Sequence, residues 1–182
     1  MNSWYYLHPS AIPEETCKRI KKIFDQNNHP GLVDDASLNK NIRDSNVSGF
    51  GFGHPQNKEF DSLLLDFVTI ANRECFGFHL NGVNEYQLTQ YNKSGFYGSH
   101  IDLRVNDSYS ERKLSLTLQL SDPKDYEGGN FVFNTADNPP AEKLREIGTL
   151  LIFPAFLLHE VTEVTSGSRY SLVGWYEGNK FI

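Results

Sequence analysis

Apolar and polar residues alternate most clearly over residues 113–120, where leucine takes every second position and serine, threonine and glutamine lie between the leucines. A period of two is typical of a β-strand that buries one face in a core. Six more segments are rich in apolar and β-branched residues, and turn-forming residues separate them. The predicted strands are 85–91, 98–103, 113–120, 130–133, 148–153, 157–164 and 169–177.

The first half of the chain has the pattern of helices instead. Apolar residues recur at helical spacing over residues 13–27, where a proline and two glutamates suit a helix N-terminus. A second helix is predicted over residues 57–76, with Asn57 as a candidate N-cap. Residues 31–56 between the helices are polar and glycine-rich, so we expect an irregular segment with short strands near residues 47–52.

The order of the elements, two helices and then about seven short strands, indicates the fold class: mainly β with supporting helices. We expect the helices to pack on a double-sheet β structure, because their apolar faces need a sheet to cover them. The whole chain, residues 1–182, is therefore predicted to form one domain, in which residues 1–84 give helical support to a β core in residues 85–177.

Composition and charge are those of an ordinary globular protein. The formal net charge is −6 and no stripe of lysine and arginine stands out, so we expect no nucleic acid partner. No apolar run reaches the roughly 18 residues of a membrane span, and the N-terminus lacks the pattern of a secretory signal. We expect a cytoplasmic protein with no membrane partner, and the oligomeric state stays open. Cys17 and Cys75 lack the spacing of a zinc site and are expected to be small buried residues.

Residues that bind metals occur in two of the predicted strands. His100 and Asp102 are two positions apart, so both side chains would point to the same face of their strand. His159 follows 57 residues after Asp102 on another apolar strand. Two histidines and one carboxylate form the facial triad of non-haem iron(II) oxygenases, which leaves positions open for other ligands. Taken singly, each residue is more often structural, and the prediction depends on their joint order and spacing.

A cation that could bind an organic acid lies ten residues after His159. Arg169 begins the next predicted strand and would point back into the same cavity. A 2-oxo acid can chelate iron through its keto oxygen and one carboxylate, and a guanidinium can hold the other carboxylate in a bidentate way that lysine cannot reproduce. Tyr91, nine residues before His100, could add a hydroxyl donor.

Residues 91–176 resemble the catalytic core of the prolyl 4-hydroxylase-like 2-oxoglutarate dioxygenases, which include the bacterial PKHD-type hydroxylases. About half of the chain shares the pattern, and its motifs are specific. They are Gly95-Phe96-Tyr97, His100-Ile101-Asp102, Arg112-Lys113-Leu114-Ser115, Leu120-Ser121-Asp122-Pro123, Asp125-Tyr126-Glu127-Gly128-Gly129, Gly148-Thr149-Leu150-Leu151-Ile152-Phe153-Pro154, His159-Glu160-Val161, Gly167-Ser168-Arg169 and Gly174-Trp175.

The resemblance implies a fold, a reaction and a set of ligands. The fold of this family is a double-stranded β-helix, or jelly roll, with supporting helices. His100, Asp102 and His159 would hold iron(II), and Arg169 and Tyr91 would bind 2-oxoglutarate. Oxidative decarboxylation of 2-oxoglutarate with O₂ gives succinate and CO₂ and hydroxylates a C–H bond of the substrate. Ascorbate is a candidate supporting reductant.

The resemblance also implies a substrate. In prolyl hydroxylases, the residues that correspond to Tyr97, Arg112 and Trp175 tend to contact the peptide. We therefore expect hydroxylation at C4 of a prolyl residue in a peptide or protein. The polar loop 103–111 could cover the peptide as a lid, and residues 31–54 could line the opposite side.

Other residues near the motifs concern the walls of the site. Gln119 stands where some relatives have a tyrosine that contacts the cosubstrate, so this chain departs from the family pattern at that contact. Phe153, Phe156 and Leu158 are expected to supply apolar walls near His159, although core packing would explain them equally well.

Three alternatives stay open at this point. A related dioxygenase could act on another residue, a free amino acid or a small metabolite. A catalytically silent jelly-roll binding or sensor module would be expected to lose a metal ligand or Arg169, and the sequence keeps all four. A non-oxidative metal enzyme of the cupin type would not need Arg169 at its spacing.

Overall fold

The computed structural model describes residues 4–24, 28–32, 39–51, 53–55, 60–103 and 110–180. Thirteen strands and three α-helices lie in these residues. Seven of the strands form the main sheet, in which every neighbouring pair is antiparallel. Their order is β1 (Tyr6–His8), β10 (Leu150–Pro154), β7 (Arg112–Gln119), β13 (Arg169–Gly178), β5 (Leu80–Tyr91), β4 (Asn46–Gly51) and β2 (His29–Pro30).

A smaller antiparallel sheet faces the main one across a pocket whose lining comes from both sheets. Its order is β3 (Arg43–Asp44), β6 (Phe96–His100), β11 (His159–Val161) and β9 (Phe131–Phe133). Strands β8 (Tyr126–Gly128) and β12 (Val164–Gly167) form a separate antiparallel pair. Two facing antiparallel sheets with helices packed on the larger one make the predicted jelly-roll core with supporting helices, so the predicted fold class is confirmed.

Helices α1 (Glu14–Phe24) and α2 (Asp61–Ala71) cover the outer face of the main sheet. The short α3 (Ala141–Arg145) packs elsewhere, with Leu144 against the cluster of Phe133, Leu151, Phe153 and Leu157. A π-helical turn continues α2 and ends at Gly77, whose φ of 70° only glycine adopts without strain. No helix in the described part of the chain is long and apolar enough to cross a membrane.

Strand β7 shows how the sequence separates the core from the pocket. Leu114, Leu116 and Leu118 point toward the helices and are at most 1% exposed. Ser115 and Thr117 point the other way and line the pocket. Burying each leucine contributes roughly 1.5–3 kcal/mol, so the apolar half of the alternation stabilises the fold and leaves the polar half available for chemistry.

Several elements differ from the sequence predictions. Strands β1, β2, β3 and β8 and helix α3 were not predicted, because segments of two to five residues carry little periodic signal. The segment predicted as a strand over residues 157–164 is divided between β11 and the start of β12. Asn57 lies outside the described residues, and helix α2 begins at Asp61. The first 84 residues supply strands as well as helices, while a single domain over the whole chain stays a prediction.

Candidate active site

The pocket between the two sheets encloses about 830 Å³, its open mouth included. The main sheet contributes side chains from β5, β7, β10 and β13, and the smaller sheet contributes side chains from β3, β6, β9 and β11. All eight site residues predicted from the sequence line this one pocket: Tyr91, Tyr97, His100, Asp102, Arg112, His159, Arg169 and Trp175.

Three of these residues form a cluster that can hold a metal ion. One ligand atom from each of His100, Asp102 and His159 lies within 4.8 Å of the others. The two Asp102 carboxylate oxygens are divided between the histidines, with Oδ1 at 3.7 Å from Nε2 of His100 and Oδ2 at 3.7 Å from Nε2 of His159. Two imidazole nitrogens and one carboxylate oxygen are the donor set of a facial iron(II) site, so the residues present fit that metal.

Strand pairing and one turn bring the three side chains together. His100 and His159 are directly paired across β6 and β11. Asp102 lies beyond the end of β6, which stops at His100, so the predicted strand over residues 98–103 is too long at its C-terminal end. The carbonyl of Ala155 accepts hydrogen bonds from the amides of Asp102 (2.9 Å) and Leu103 (3.0 Å), and these bonds hold the bend that directs Asp102 inward.

Both imidazoles have the same orientation and tautomer. Nδ1 of His100 donates to the carbonyl of Gly98 at 2.9 Å, and Nδ1 of His159 donates to the carbonyl of Leu157 at 2.8 Å. A carbonyl can only accept, so Nδ1 carries the proton in each ring. The Nε2 atoms of both rings face the cluster, which is the orientation that metal coordination requires.

The protonation states of the cluster suit a metal site. Burial, and then the neighbouring His159, lower the pKa of His100 to about 4. Burial alone would raise the pKa of Asp102, but His159, His100 and Ser115 together hold this pKa below its usual value. At neutral pH the cluster therefore offers a neutral His100, whose Nε2 carries no proton, and an ionised carboxylate, so a cation can bind without first displacing protons from the ligand atoms of these two side chains.

Ser115 fixes the carboxylate of Asp102. Its hydroxyl donates to Oδ2 of Asp102 at 2.6 Å from the pocket face of β7. The sequence analysis missed this residue, although the alternation in residues 113–120 places it on the polar face.

Replacing Ser115 with alanine is expected to weaken iron(II) binding about tenfold, because a buried ligand loses the group that orients it. Ser115→Thr keeps the hydroxyl and is the matched control. The affinity is measured by anaerobic titration of iron(II) against a chromogenic chelator. Equal affinities for Ser115→Ala and the wild type would show that the hydrogen bond does not position the ligand.

A buried cation with an unused donor lies at the inner end of the pocket. Arg169 is paired with Tyr91 across β13 and β5 and is 4% exposed. Its Nη1 is buried and has no hydrogen-bond partner among the described residues. Gly129 packs against it at a φ of 58°, and a Cβ there would lie 3.2 Å from Cδ of Arg169. An orphaned guanidinium donor beside a metal cluster fits the distal carboxylate of a 2-oxo acid.

Hydroxyl groups surround the same end of the pocket. Burial raises the pKa of Tyr91, so its phenol keeps its proton and can donate a hydrogen bond. Thr89, Thr117 and Ser171 are buried and line the pocket on the three neighbouring strands β5, β7 and β13. The sequence analysis missed these three residues, and the polar positions of alternating strands are the signal that could have identified them.

Aromatic rings shield the metal cluster on the side of His159. The ring of Phe131 stacks on His159 at 5.2 Å between centroids, and Phe153 meets it edge-on at 4.9 Å. Of the predicted apolar walls, only Phe153 lines the pocket. Phe156 is 39% exposed, because β10 ends at Pro154 and the following turn directs it outward.

A further part of the pocket lining combines aromatic rings with arginines. The ring of Tyr97 stacks on His100 with the centroids 3.6 Å apart. The guanidinium of Arg112 lies 3.9 Å from the centre of the Trp175 ring and 3.7 Å from a carboxylate oxygen of Glu85. Nε1 of Trp175 is buried and has no hydrogen-bond partner among the described residues. A ligand in this part of the pocket would therefore meet an unused indole donor beside the guanidinium of Arg112.

The remaining expectations concern the surroundings of the pocket, and part of them falls on residues that the structure does not describe. Gln119 is not in the pocket lining; its Nε2 donates to the hydroxyl of Tyr126 at 2.9 Å, behind Arg169. Within the expected lid 103–111, residues 104–109 are not described. From the segment 31–54, Arg43 lines the pocket. It was not singled out in the sequence, because β3 is only two residues long.

Comparison with known proteins places this pocket in context. The family model described as the 2OG-Fe(II) oxygenase superfamily matches residues 86–177, which is half of the chain. A PKHD-type hydroxylase of Parvibaculum lavamentivorans is 42% identical over 93 residues, 48% of this chain and 39% of that protein. A PKHD-type hydroxylase of Gloeothece citriformis is 38% identical over 96 residues, 52% of this chain and 43% of that protein. The matched part thus spans less than half the length of these relatives.

Solved structures show the same fold at low sequence identity. A Pseudomonas putida prolyl-4-hydroxylase superposes with a TM-score of 0.75 at 19% identity, covering 97% of this chain and 94% of the other. A prolyl hydroxylase from Trichoplax adhaerens, in complex with a peptide fragment of the hypoxia inducible factor oxygen degradation domain, has a TM-score of 0.75 at 16% identity. That match covers 96% of this chain and 84% of the other.

Proposed function

Because this chain belongs to the 2OG-Fe(II) oxygenase superfamily, we propose that it hydroxylates prolyl residues of a peptide or protein at C4. The enzymes of this family use iron(II), 2-oxoglutarate and O₂. When bound, iron(II) and 2-oxoglutarate would supply the oxidising chemistry, in which one atom of O₂ is inserted into a C–H bond of the substrate and the other is found in succinate, with release of CO₂. The observation that carries the proposal is the convergence of metal-binding, anion-binding and aromatic side chains in one pocket.

His100, Asp102 and His159 are the proposed iron ligands. The two rings would bind through Nε2, which their Nδ1 hydrogen bonds direct inward. Asp102 would supply the negative charge, and its bond from Ser115 would keep the carboxylate in position. Phe131 and Phe153 would keep water away from this side of the cluster.

Arg169 and Tyr91 are the proposed partners of the distal carboxylate of 2-oxoglutarate. Both are buried and lie opposite each other on paired strands. A buried guanidinium gains a charge-assisted bidentate partner when the carboxylate binds, and the phenol adds a third donor. This pairing would orient the cosubstrate so that its keto acid end reaches the metal cluster.

Tyr97, Arg112 and Trp175 are the proposed contacts of the prolyl peptide. They line the pocket, where aromatic faces can hold a pyrrolidine ring and hydrogen-bond donors can meet peptide carbonyls. The names of the curated relatives and of the solved neighbours, PKHD-type and prolyl hydroxylases, also favour this substrate.

Replacing Trp175 with alanine is expected to reduce peptide hydroxylation at least tenfold, because a buried aromatic contact and a donor are lost. Decarboxylation of 2-oxoglutarate without peptide should fall less. Both rates are measured as succinate formation, with and without peptide. Trp4→Ala is the matched control, because Trp4 is 56% exposed and outside the pocket lining. Equal loss of both rates in Trp175→Ala would point to a structural role.

The proposal is tested by anaerobic loading with iron(II) and 2-oxoglutarate, followed by exposure to air with proline-containing peptides. The expected products are succinate and peptides heavier by one oxygen atom at proline. Oxygen found only in free amino acids or small metabolites would identify a dioxygenase with another substrate. Absence of succinate from a fully loaded protein would favour a silent binding module.

A further inference from the structure

The charges that line the pocket do not balance. Arg43, Arg112 and Arg169 are its three described arginines, and Asp102 and Glu85 are its two described carboxylates. Iron(II) and the dianion of 2-oxoglutarate carry equal and opposite charges, so binding both leaves the net charge of the pocket unchanged. The described part of the loaded pocket therefore keeps one positive charge in excess, which is costly in a buried place unless a ligand supplies an anion.

The excess charge lies at Arg43. Arg112 has a carboxylate oxygen of Glu85 at 3.7 Å, and Arg169 is assigned to the cosubstrate by the proposed function. The contacts of Arg43 are neutral: Nε donates to the hydroxyl of Ser45 at 2.8 Å, and Nη1 donates to the carbonyl of Leu32 at 3.3 Å. Among the described residues, no carboxylate forms an ion pair with Arg43, although the side chain is only 8% exposed.

The guanidinium of Arg43 is also held rigidly. One face lies over the ring of Tyr97, 4.6 Å from its centre. Gly31 packs so closely that a Cβ there would lie 2.7 Å from Nε and 3.0 Å from Cζ of Arg43. Nη2 makes no hydrogen bond to the described residues, and Arg43 belongs to the pocket lining. An arginine fixed on several sides with one free edge is preorganised for an anion, which binds without loss of side-chain freedom.

From this geometry we infer that Arg43 binds a carboxylate of the substrate, so that the hydroxylated molecule is an acid. The inference rests on the proposed function, since it concerns what enters beside the loaded metal site. Tyr97 connects Arg43 with the metal cluster, because its ring lies between the guanidinium of Arg43 and the imidazole of His100. The carboxylate could come from an acidic side chain near the hydroxylated residue, from a peptide C-terminus or from a free amino acid.

The test compares one peptide mixture in two forms. A protease digest is used as it is, or after methyl esterification has neutralised every carboxylate, and incorporation of ¹⁸O from ¹⁸O₂ is followed by mass spectrometry. The wild-type enzyme is expected to oxidise the untreated peptides about ten to a hundred times faster than the esterified peptides. This ratio corresponds to the loss of one hydrogen bond to a charged group. Equal rates for both forms would overturn the inference.

Variants show whether Arg43 is the cause. Arg43→Gln should remove the preference for untreated peptides. The preference is measured as the ratio of the oxidation rates of untreated and esterified peptides, which does not depend on the total activity of the variant. Gly31→Ala should lower the same ratio without changing any charge, because its Cβ displaces the guanidinium. Lys40→Gln is the matched control, because Lys40 pairs with Asp44 on the surface, and it should keep the wild-type ratio. A variant Arg43→Gln that retains the preference, or that raises only the KM for 2-oxoglutarate, would contradict the assignment.

Further arms identify the source of the carboxylate and separate this inference from the proposed function. Three pairs of probes isolate the three sources. Synthetic prolyl peptides with aspartate or asparagine beside proline test an acidic side chain, and peptides with an acid or an amide C-terminus test the C-terminal carboxylate. L-Proline and L-prolinamide test a free amino acid. If none of these probes and no digest peptide is oxidised while 2-oxoglutarate is still decarboxylated, the carboxylate inference fails and the oxygenase assignment stands. If 2-oxoglutarate is not decarboxylated either, the proposed function fails.

Discussion

Replacing Asp102 with alanine is expected to abolish turnover and stoichiometric iron(II) binding. Only two of the three protein ligands, the imidazoles, would remain. Without the carboxylate of Asp102, no negative charge of the cluster would compensate the charge of iron(II). The measurement is the iron content after anaerobic loading and desalting, together with succinate formation in air.

The control for this variant is Asp125→Ala, which removes an exposed carboxylate outside the pocket lining and should change neither quantity. Thermal unfolding of the metal-free proteins shows whether Asp102→Ala still folds. A folded Asp102→Ala protein with full iron content and full activity would exclude Asp102 from the metal site.

Replacing Arg169 with alanine is expected to raise the KM for 2-oxoglutarate by between about thirtyfold and several thousandfold. This range corresponds to about 2–5 kcal/mol for the removal of one partner of a buried charge pair. Arg169→Lys keeps the charge but loses the planar fork, so its KM should be intermediate. Initial rates of succinate formation at varied 2-oxoglutarate give the values.

Arg73→Ala is the matched control for Arg169, because the side chain of Arg73 is 70% exposed and pairs only weakly with its neighbour Glu74. Its KM should equal that of the wild type. An unchanged KM in Arg169→Ala would mean that another cation of the pocket, Arg43 or Arg112, binds the cosubstrate.

The part of the architecture that follows a period of two could be predicted from the sequence. Residues 113–120 were predicted as a strand and form β7 one residue earlier, at Arg112–Gln119. Residues 169–177 form β13, which ends one residue later, at Gly178. Long strands and helices with a buried face repeat their pattern several times, so a single chain is enough to recognise them.

The convergence of the site residues could be predicted for a different reason. The spacing of His100, Asp102, His159 and Arg169 matches a known motif set, and all four line one pocket. Asp102 lies in the predicted pocket for a reason other than the predicted one, because a bend beyond β6 rather than a strand directs its carboxylate inward.

The rest of the pocket depends on contacts that no local pattern encodes. Arg43 belongs to a strand of two residues whose position is set by pairing with β6. Ser115 and Thr117 can be assigned to the site only when it is known which face of β7 lines the pocket. Such residues become visible when tertiary pairing brings distant segments together, which is why the substrate side of the pocket was the least predictable part.

Three ligands and one guanidinium are proposed to serve a single iron and 2-oxoglutarate site. The most direct measurement is an anaerobic crystal structure with iron(II) and 2-oxoglutarate, in which anomalous scattering locates the metal. We expect one ion bound by Nε2 of His100, Nε2 of His159 and the carboxylate of Asp102, with the distal carboxylate of 2-oxoglutarate on Arg169. An ion that lacks any of these three ligands, or a cosubstrate whose distal carboxylate lies away from Arg169, would contradict this proposal.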